Sequence, residues 1–539
     1  MRIGRSLVAS AALGLACVPV AQLAAQAQDN IDNQIVDEGL NRSQVPEIAH
    51  ELIDGIGPRL TNSTNMRLAE DWAVKKMREL GLVNVHKEGF EFGRGWDLIS
   101  SDVRTVSPKP MILSAIPIAW TPPTNGAVQA EIVVAPISKE EHFGAYRGKL
   151  AGKIVFVSVP GTGDEPVEPL FKRLDANDIR ARDAFDLPNF DPAAADFRKR
   201  RIEFPLKLDA FLKSEGAVAW ARISRRDGKL LHGEGYNFEV GASPQLPAIE
   251  LAAEDYRKLA RMAKLGSAPV LSIISNVRYV DGDTKAYNVI GEIVGSDSRA
   301  GYVMAGAHLD SWVAADGAVD NGAGSVAVIE AARILKALGV RPKRTVRFVL
   351  WSGEEQGVLG SLGYVRDHLA SRSGDEGLTT PRQLSGWKYL YPIKPKPGYF
   401  DLKAYFNMDN GSGKIRGIHA ENNSAAVPML RKWLAPYAGL DASSVVAGTT
   451  GGTDHVYMQA IGVPGFQFIQ DPLDYGARLH HSSMDTFDHL RLDDLRQASV
   501  VMAGVLLAAA NDPETLPREP VPQQPNVTDP FTYKLPDED

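Results

Sequence analysis

The sequence predicts an α/β fold: a mostly parallel mixed sheet covered by helices on both faces, with a β-rich domain inserted into it. Three observations predict this. From "YNVIGEIVG" onward, near-continuous apolar strands alternate with amphipathic helices, the pattern of a sheet buried on both sides. Between residues 118 and 275 the texture changes to short strands separated by Gly, Pro and charged turns, as in a separate inserted unit. A chain of 539 residues is also long enough for two or three domains.

Taken in order, the chain opens with Arg2 and Arg5 before "LVASAALGLACVPVAQLAAQA", which ends in the small-residue triplet Ala25-Gln26-Ala27. This reads as a secretory signal peptide over 1–27 cleaved before Gln28, and implies export to the periplasm or the extracellular space. An anchor helix is disfavoured by the short apolar run and by Pro19, and lipidation of Cys17 by Gly14, which stands where a larger aliphatic residue belongs. Residues 28–117 form the first part of the main domain. After a polar lead, "SQVPEIAHELIDGIG" and "STNMRLAEDWAVKKMRELG" read as helices started by Ser43 and Ser63 and stopped at Gly57 and Gly81, followed by the strand "VNVHKEGFEF". Residues 118–275 form the insertion. Its charged stretch "FRKRRIEFPLKLDAFLKSEG" has interspersed acids on a helical pattern, which reads as a solvated face rather than a nucleic-acid surface. Residues 276–512 alternate the strands "GYVMAGAHLD", "RTVRFVLW", "LKAYFNMD" and "VPGFQFI" with helices, and close on the helix "RLDDLRQASVVMAGVLLAAAN". The proline-rich tail 513–539 wraps the surface or is loose.

Composition excludes several functions. Net charge is -7, so nothing attracts the chain to nucleic acid or an anionic membrane, and no later segment is long and apolar enough for a membrane span. Cys17 is the only cysteine. With the leader removed no thiol remains, so neither a cysteine nucleophile nor cysteine-ligated zinc is available. Oligomeric state is not legible.

In an open parallel sheet, ligands bind beyond the carboxyl ends of the strands. Those ends deliver His308 and Asp310, then Glu354 and Glu355, then Asp409; the loop "SWVAADGAVDNGAG" adds Asp316 and Asp320, and "RLHHSSMDT" adds His480, His481 and Asp485. Carboxylates at this density repel one another unless cations neutralise them. Imidazole and carboxylate together suit zinc, with cobalt or manganese as substitutes, and two ions about 3.5 to 4 Å apart need a bridging carboxylate. Asp320, in a glycine-rich turn, offers one. His368, His419 and His489 stand in helical or turn contexts away from this edge and read as structural.

The motifs "DGIGPRLTNS", "GAHLDSW", "DGAVDNGAG", "RPKRTVRFVLWSGEEQGVLGS", "NMDNGSG" and "HHSSMDT" together resemble the co-catalytic di-zinc aminopeptidases, the family that includes bacterial leucyl aminopeptidase and plasma glutamate carboxypeptidase (carboxypeptidase Q). The likeness runs over nearly the whole mature chain. It implies the zinc-dependent exopeptidase fold, an inserted protease-associated domain, peptide substrates and two Zn2+ per chain. His308 and Asp409 would complete one zinc site, Glu355 and His481 the other, with Asp320 bridging. Glu354 would be the general base, and Asp310 would hold the His308 imidazole. The family pattern His-Ser/Thr-x-x-Asp-Thr starts at His481, not at His480.

One departure stands out. Several family aminopeptidases carry an oxyanion-holding tyrosine two residues before an Asp-His pair, and here Gly452 takes that place, which leaves His455 or Tyr457 as candidate donors. The resemblance implies an aminopeptidase, with a carboxypeptidase or dipeptidase on the same site as the alternative. Readings from other classes are a glutaminyl cyclase, which would use one zinc, and a non-catalytic receptor-like relative, which would lack ligands. A further di-zinc exopeptidase lineage with a dimerisation domain is disfavoured by "DNGAG" and the place of the insertion.

Overall fold

The computed structural model describes residues 20–163, 169–186, 190–191 and 193–525, with side chains from residue 30 onward. The expected leader falls largely outside them: Arg2, Arg5 and Cys17 are not described, and only the backbone of 20–27 is.

Eight strands form the first sheet, in the spatial order Val83–Glu91, Lys285–Ile293, Thr345–Trp351, Tyr302–His308, Leu402–Asn407, Gly465–Gln470, Ile415–His419 and Ser444–Val446. The four central strands run parallel, so their carboxyl ends open at one edge. Every residue of Tyr302–His308 is buried, as expected of a strand covered on both faces. Helices Ala323–Ala337 and Leu492–Asn511 cover one face, where Val326, Ile329, Val501 and Leu506 pack against Val303, Phe348 and Phe406. Trp351, Tyr364, Trp387 and Tyr457 fill the other. Each such side chain contributes about 1.5–3 kcal/mol on full burial.

The helix signals act as read. Ser63 Oγ accepts from the Met66 amide and starts helix Thr64–Glu79, and Ser43 Oγ accepts from the Val45 amide. Gly57 and Gly81 end their helices with φ of 81° and 77°, a region glycine enters without a Cβ clash. The polar lead, in contrast, is helical: Val20–Asn41 packs on helices Ala323–Ala337 and Leu492–Asn511 through buried Ile35. Its apolar stripe is thin because Glu38 on the buried side pairs with Arg333 at 2.6 Å, and a paired charge hides an inward face from a hydrophobicity pattern.

The second sheet has the order Met111–Ile112, Gly95–Ser107, Val270–Val280, Val128–Val134, Ile154–Phe156, Ala219–Ile223, Ala248–Leu251 and Ala115–Pro117. Its strands reach from Gly95 to Val280, wider than the 118–275 read from texture. Gly95–Ser107 buries only four of its 13 residues and carries Asp97, Ser100, Ser101 and Asp102, so its alternation is weak, yet it pairs with Val270–Val280 along nearly its whole length. The chain passes between the sheets as one antiparallel ribbon: Glu91 opposite Lys285 closes the first sheet's edge, and Gly95 opposite Val280 opens the second. Helix Ala194–Ser214 carries the charged stretch, and over residues 513–525 the tail runs along the first unit, where Arg518 donates to the carbonyls of Tyr399 and Leu402.

Candidate metal centre

The open edge gathers the predicted side chains. His308 ends its strand, Glu354 and Glu355 follow Thr345–Trp351, and Asp409 follows Leu402–Asn407. Asp320 sits in the turn before helix Ala323–Ala337, joined to Asn321 by a cis peptide bond. His481 follows the single turn Tyr475–Leu479. His308 Nε2 lies 3.2 Å from Asp409 Oδ1 and 3.3 Å from Asp320 Oδ1. His481 Nε2 lies 2.9 Å from Glu355 Oε2 and 3.4 Å from Asp320 Oδ2. Asp320 therefore turns one carboxylate oxygen to each imidazole.

The supports are built from backbone groups. Asp485 accepts the amides of Val319 and Asp320, and the Asn321 side chain donates to the Met408 carbonyl and accepts the Gly324 amide. A Cβ on Gly324 would stand 2.4 Å from Asn321 Oδ1 and from the Met408 carbonyl, so only glycine lets the helix start this close. Arg59, fully buried, donates to the carbonyls of Gly57, Leu309, Asp316 and Gly317 and so pins the loop that carries Asp320. Burial pushes its guanidinium down to about 10 against the pull of Asp485 and Asp310.

Asp310 departs from the expected role. The His308 Nδ1 bonds its main-chain carbonyl at 2.9 Å, whereas its carboxylate stays 3.7 Å away and accepts Thr61 Oγ1 and the amides of Glu354 and Glu355. Asp310 thus fixes the two glutamates and holds the imidazole through its backbone. Of the other residues singled out, His368 pairs with Glu88, His419 bonds the Gly448 carbonyl and His489 faces Thr486, all away from the cluster. His455 is buried against the Thr450 carbonyl and Glu421. Tyr457 and Gly452 do line the cavity, and a Cβ on Gly452 would meet nothing within 4 Å.

That cavity holds about 500 Å³. Asp320, Glu354, Glu355 and Asp409 form its floor with His480 and His481, and Arg198, Arg201 and Tyr236 of the second unit form its far wall. Two arginines of the charged stretch therefore line the cavity, Arg198 half-buried and Arg201 exposed. Arg198 donates to Tyr457 Oη at 3.3 Å, and Arg201 lies 4.2 Å over the Tyr236 ring with no hydrogen bond or salt bridge among the described residues.

Charge is unbalanced on this floor. Burial raises Glu354 well above its usual value, with Asp409 and Asp454 adding to it and His308 opposing, and raises Glu355 to about 7. Burial also pushes Asp454 up to about 8. Burial opposes a charged His308 or His481, but the carboxylates around them win and hold both well above the usual imidazole value. Among the described residues, Asp320 Oδ2 and both oxygens of Glu355 are buried without a hydrogen-bond donor. A carboxylate–imidazole donor set with orphaned buried oxygens fits divalent cations, and the groups His308, Glu354 and Asp409 and His308, Asp320 and Glu355 each bring ligand atoms within 4.8 Å of one another. Asp320, His480 and His481 form a third such group, but His480 Nε2 is 3.8 Å from Asp320 and not beside Glu355.

A pH dependence follows. Between about 4, where unfolded carboxyls titrate, and their raised values, Glu355 and Asp454 hold protons that they lack in the unfolded chain, so these groups make stability fall as pH rises; the raised His308 and His481 add the same sign above about 6.5, while His480, which burial lowers to about 4, opposes it only below that. Chelated protein is expected to melt at a lower temperature at about pH 8 than at about pH 5, and zinc-loaded protein to lose this slope because bound cations displace the protons. A flat melting profile for the chelated protein contradicts the charge assignment.

Three supporting residues carry no sequence signal of their role. Arg59 lies inside "DGIGPRLTNS" with no role assigned to it from the sequence, Asp454 is two residues beyond the Gly452 departure, and Glu234, at 2.9 Å from His481 Nδ1, comes from the second unit.

The geometry has known counterparts. The family model described as Peptidase family M28 matches residues 288–506. Carboxypeptidase Q of Mus musculus is 28% identical over 471 residues, covering 87% of this chain and 86% of that one, and the Bos taurus protein is 29% identical over 479 residues. The crystal structure of a peptidase M28 precursor from Shewanella amazonensis superposes with a TM-score of 0.64 at 25% identity, over 92% of this chain and 99% of that one. A zinc aminopeptidase from Bacillus subtilis shares the fold, with a TM-score of 0.54 at 19% identity over 87% of this chain and 94% of that one. A family match over 288–506 that contains all seven predicted site residues, likeness to carboxypeptidase Q along most of both chains and a shared architecture agree on one assignment: residues 288–506 match peptidase family M28, and the protein is a metallopeptidase.

Proposed function

We propose that this peptidase is an exported di-zinc exopeptidase that releases amino-terminal residues. One observation carries the two-ion reading: the oxygens of Asp320 face different imidazoles, 3.3 Å from His308 and 3.4 Å from His481. His308 and Asp409 would hold one zinc, Glu355 and His481 the other, and Asp320 would lie between. The ions, when bound, supply Lewis acidity toward a peptide carbonyl and lower the pKa of water. Glu354 lines the cavity with its carboxyl raised, as suits a group that takes a proton from the attacking water and returns it to the leaving amine. Asp310 keeps Glu354 and Glu355 apart in role by gripping both of their amides. The second sheet serves as a protease-associated-like domain that closes one end of the cleft.

A dipeptidase or carboxypeptidase reading has its own support. Arg201 presents to the cavity a guanidinium with no hydrogen-bond partner among the described residues, which suits a substrate carboxylate, and the mammalian relatives are named carboxypeptidase Q. Aminoacyl anilides, free dipeptides, N-acetyl dipeptides and dipeptide amides, each run with and without chelator, separate the two. Acetylation is expected to abolish cleavage and amidation to leave it; loss on amidation with tolerance of acetylation moves the protein to the carboxypeptidase reading. Two zinc ions per chain are expected by elemental analysis, where one would favour a cyclase. Export rests on the basic and apolar start of the sequence. Amino-terminal sequencing of protein from an exporting host should begin near Gln28, and an intact Met1 on cytoplasmic material refutes export.

A further inference from the structure

The second unit does more than wall the cleft, because it grips the loop that carries His481. Its segment 226–236 meets that loop through a run of hydrogen bonds. Arg226 donates to the His480 carbonyl at 3.0 Å, the Ser483 amide donates to the Leu231 carbonyl at 2.8 Å, and the Leu231 amide donates to Ser483 Oγ at 3.2 Å. At the centre, Glu234 Oε1 lies 2.9 Å from His481 Nδ1 and 2.6 Å from the Arg225 guanidinium, while Arg222 holds the Glu234 main-chain carbonyl at 2.8 Å. Trp312 packs against the same imidazole, and Tyr236 stands edge-on to Trp312.

An imidazole that donates from Nδ1 to a carboxylate keeps its lone pair on Nε2, and in His481 that nitrogen is the one facing Glu355 and Asp320. His308 solves the same problem within the first unit, through the Asp310 carbonyl. We infer that Glu234 is a positioning residue for the metal centre: the inserted unit supplies the carboxylate that sets the tautomer and orientation of His481, so one of the two cation sites is complete only when both units are docked. The energetic logic is that of a carboxylate–histidine–metal relay, in which the outer carboxylate makes the ring a better ligand. Arg225 in turn holds Glu234 Oε1 in place from the side away from the imidazole's metal-facing nitrogen.

This inference rests on the two-zinc reading, and the test separates them. Full-length wild type, Glu234→Gln and Glu234→Asp are stripped of metal and titrated with zinc against a chromophoric chelator. The expected result is two ions in the wild type and, in Glu234→Gln, an about 10- to 100-fold loss of affinity at one site with the other unchanged. Glu234→Asp, which keeps the charge on a shorter arm, is expected to lose less and keeps the test open if the glutamine variant folds poorly. In zinc-loaded protein labelled with 15N in histidine, the Nδ1-bound proton of His481, assigned by comparison with His481→Gln, is expected far downfield in the wild type and shifted upfield in Glu234→Gln. A merely structural role would lower the melting temperature of the metal-free variants and leave both zinc affinities at wild-type values, and that outcome overturns the inference. A wild type that takes up fewer than two ions refutes the two-zinc reading instead, and the inference falls with it.

Discussion

Glu354→Gln is expected to keep its zinc and its fold while turnover falls by about 10² to 10⁴, the usual worth of a positioned acid–base group. The amide preserves size and can still donate and accept hydrogen bonds, but it cannot hold a proton between water and the leaving amine. Glu355→Gln, one residue away, is expected to behave differently: Glu355 is buried and stands 2.9 Å from the His481 imidazole. Removing its charge should release one ion or weaken it sharply, with activity recovering in part under excess zinc. Neighbouring residues separate in this way because the Asp310 carboxylate fixes both of their amides, so the backbone cannot rotate to exchange them. Parallel elemental analysis and rates across a zinc titration decide the matter. Metal loss in Glu354→Gln with two ions in Glu355→Gln reverses the assignment, and full activity in both removes the site from catalysis.

The second large effect is on stability. Arg59→Met is expected to destabilise the protein by about 3 kcal/mol or more, because four main-chain carbonyls lose a buried donor and each unpaired group costs about 1–3 kcal/mol. The damage should reach the metal centre too. Asp316 and Gly317 belong to the turn that delivers Asp320, so a loosened turn lowers zinc affinity as well as the denaturation midpoint. Arg59→Lys carries the charge but cannot address four carbonyls at once and should recover only part of the loss. An unchanged midpoint in Arg59→Met would mean that water replaces the guanidinium without penalty.

Much of this was legible in the sequence. The strand-end placement of His308, Glu354, Glu355 and Asp409 follows from apolar runs that stop at polar residues, and the parallel sheet follows from their alternation with helices. What could not be read shares a physical cause: polar residues used inward. Glu38 makes a buried helix look like a polar lead, Arg59 carries no sign of a role until its carbonyls are found, and Arg198 and Arg201 on a charged helix line a cavity. Glu234 lies 247 positions from its partner in a stretch with no motif, and only folding joins them. The limits of the second unit were blurred because Gly95–Ser107 buries only four of its 13 residues and so alternates weakly.

The ribbon between the sheets bears on how such a chain tolerates its own size. Gly95 and Val280 face each other across one antiparallel pair, so for the first sheet the entire second unit stands where a hairpin turn would otherwise close Val83–Glu91 onto Lys285–Ile293. The entropy of closing a loop grows only with the logarithm of its length, about 0.6 kcal/mol for each doubling. Even a disordered insert of this length would cost the sheet only about 3 kcal/mol more than a short turn, and a folded body whose ends already meet in one ribbon costs less, so this junction is a place where the chain can lengthen or shorten while the register of its first two strands stays the same.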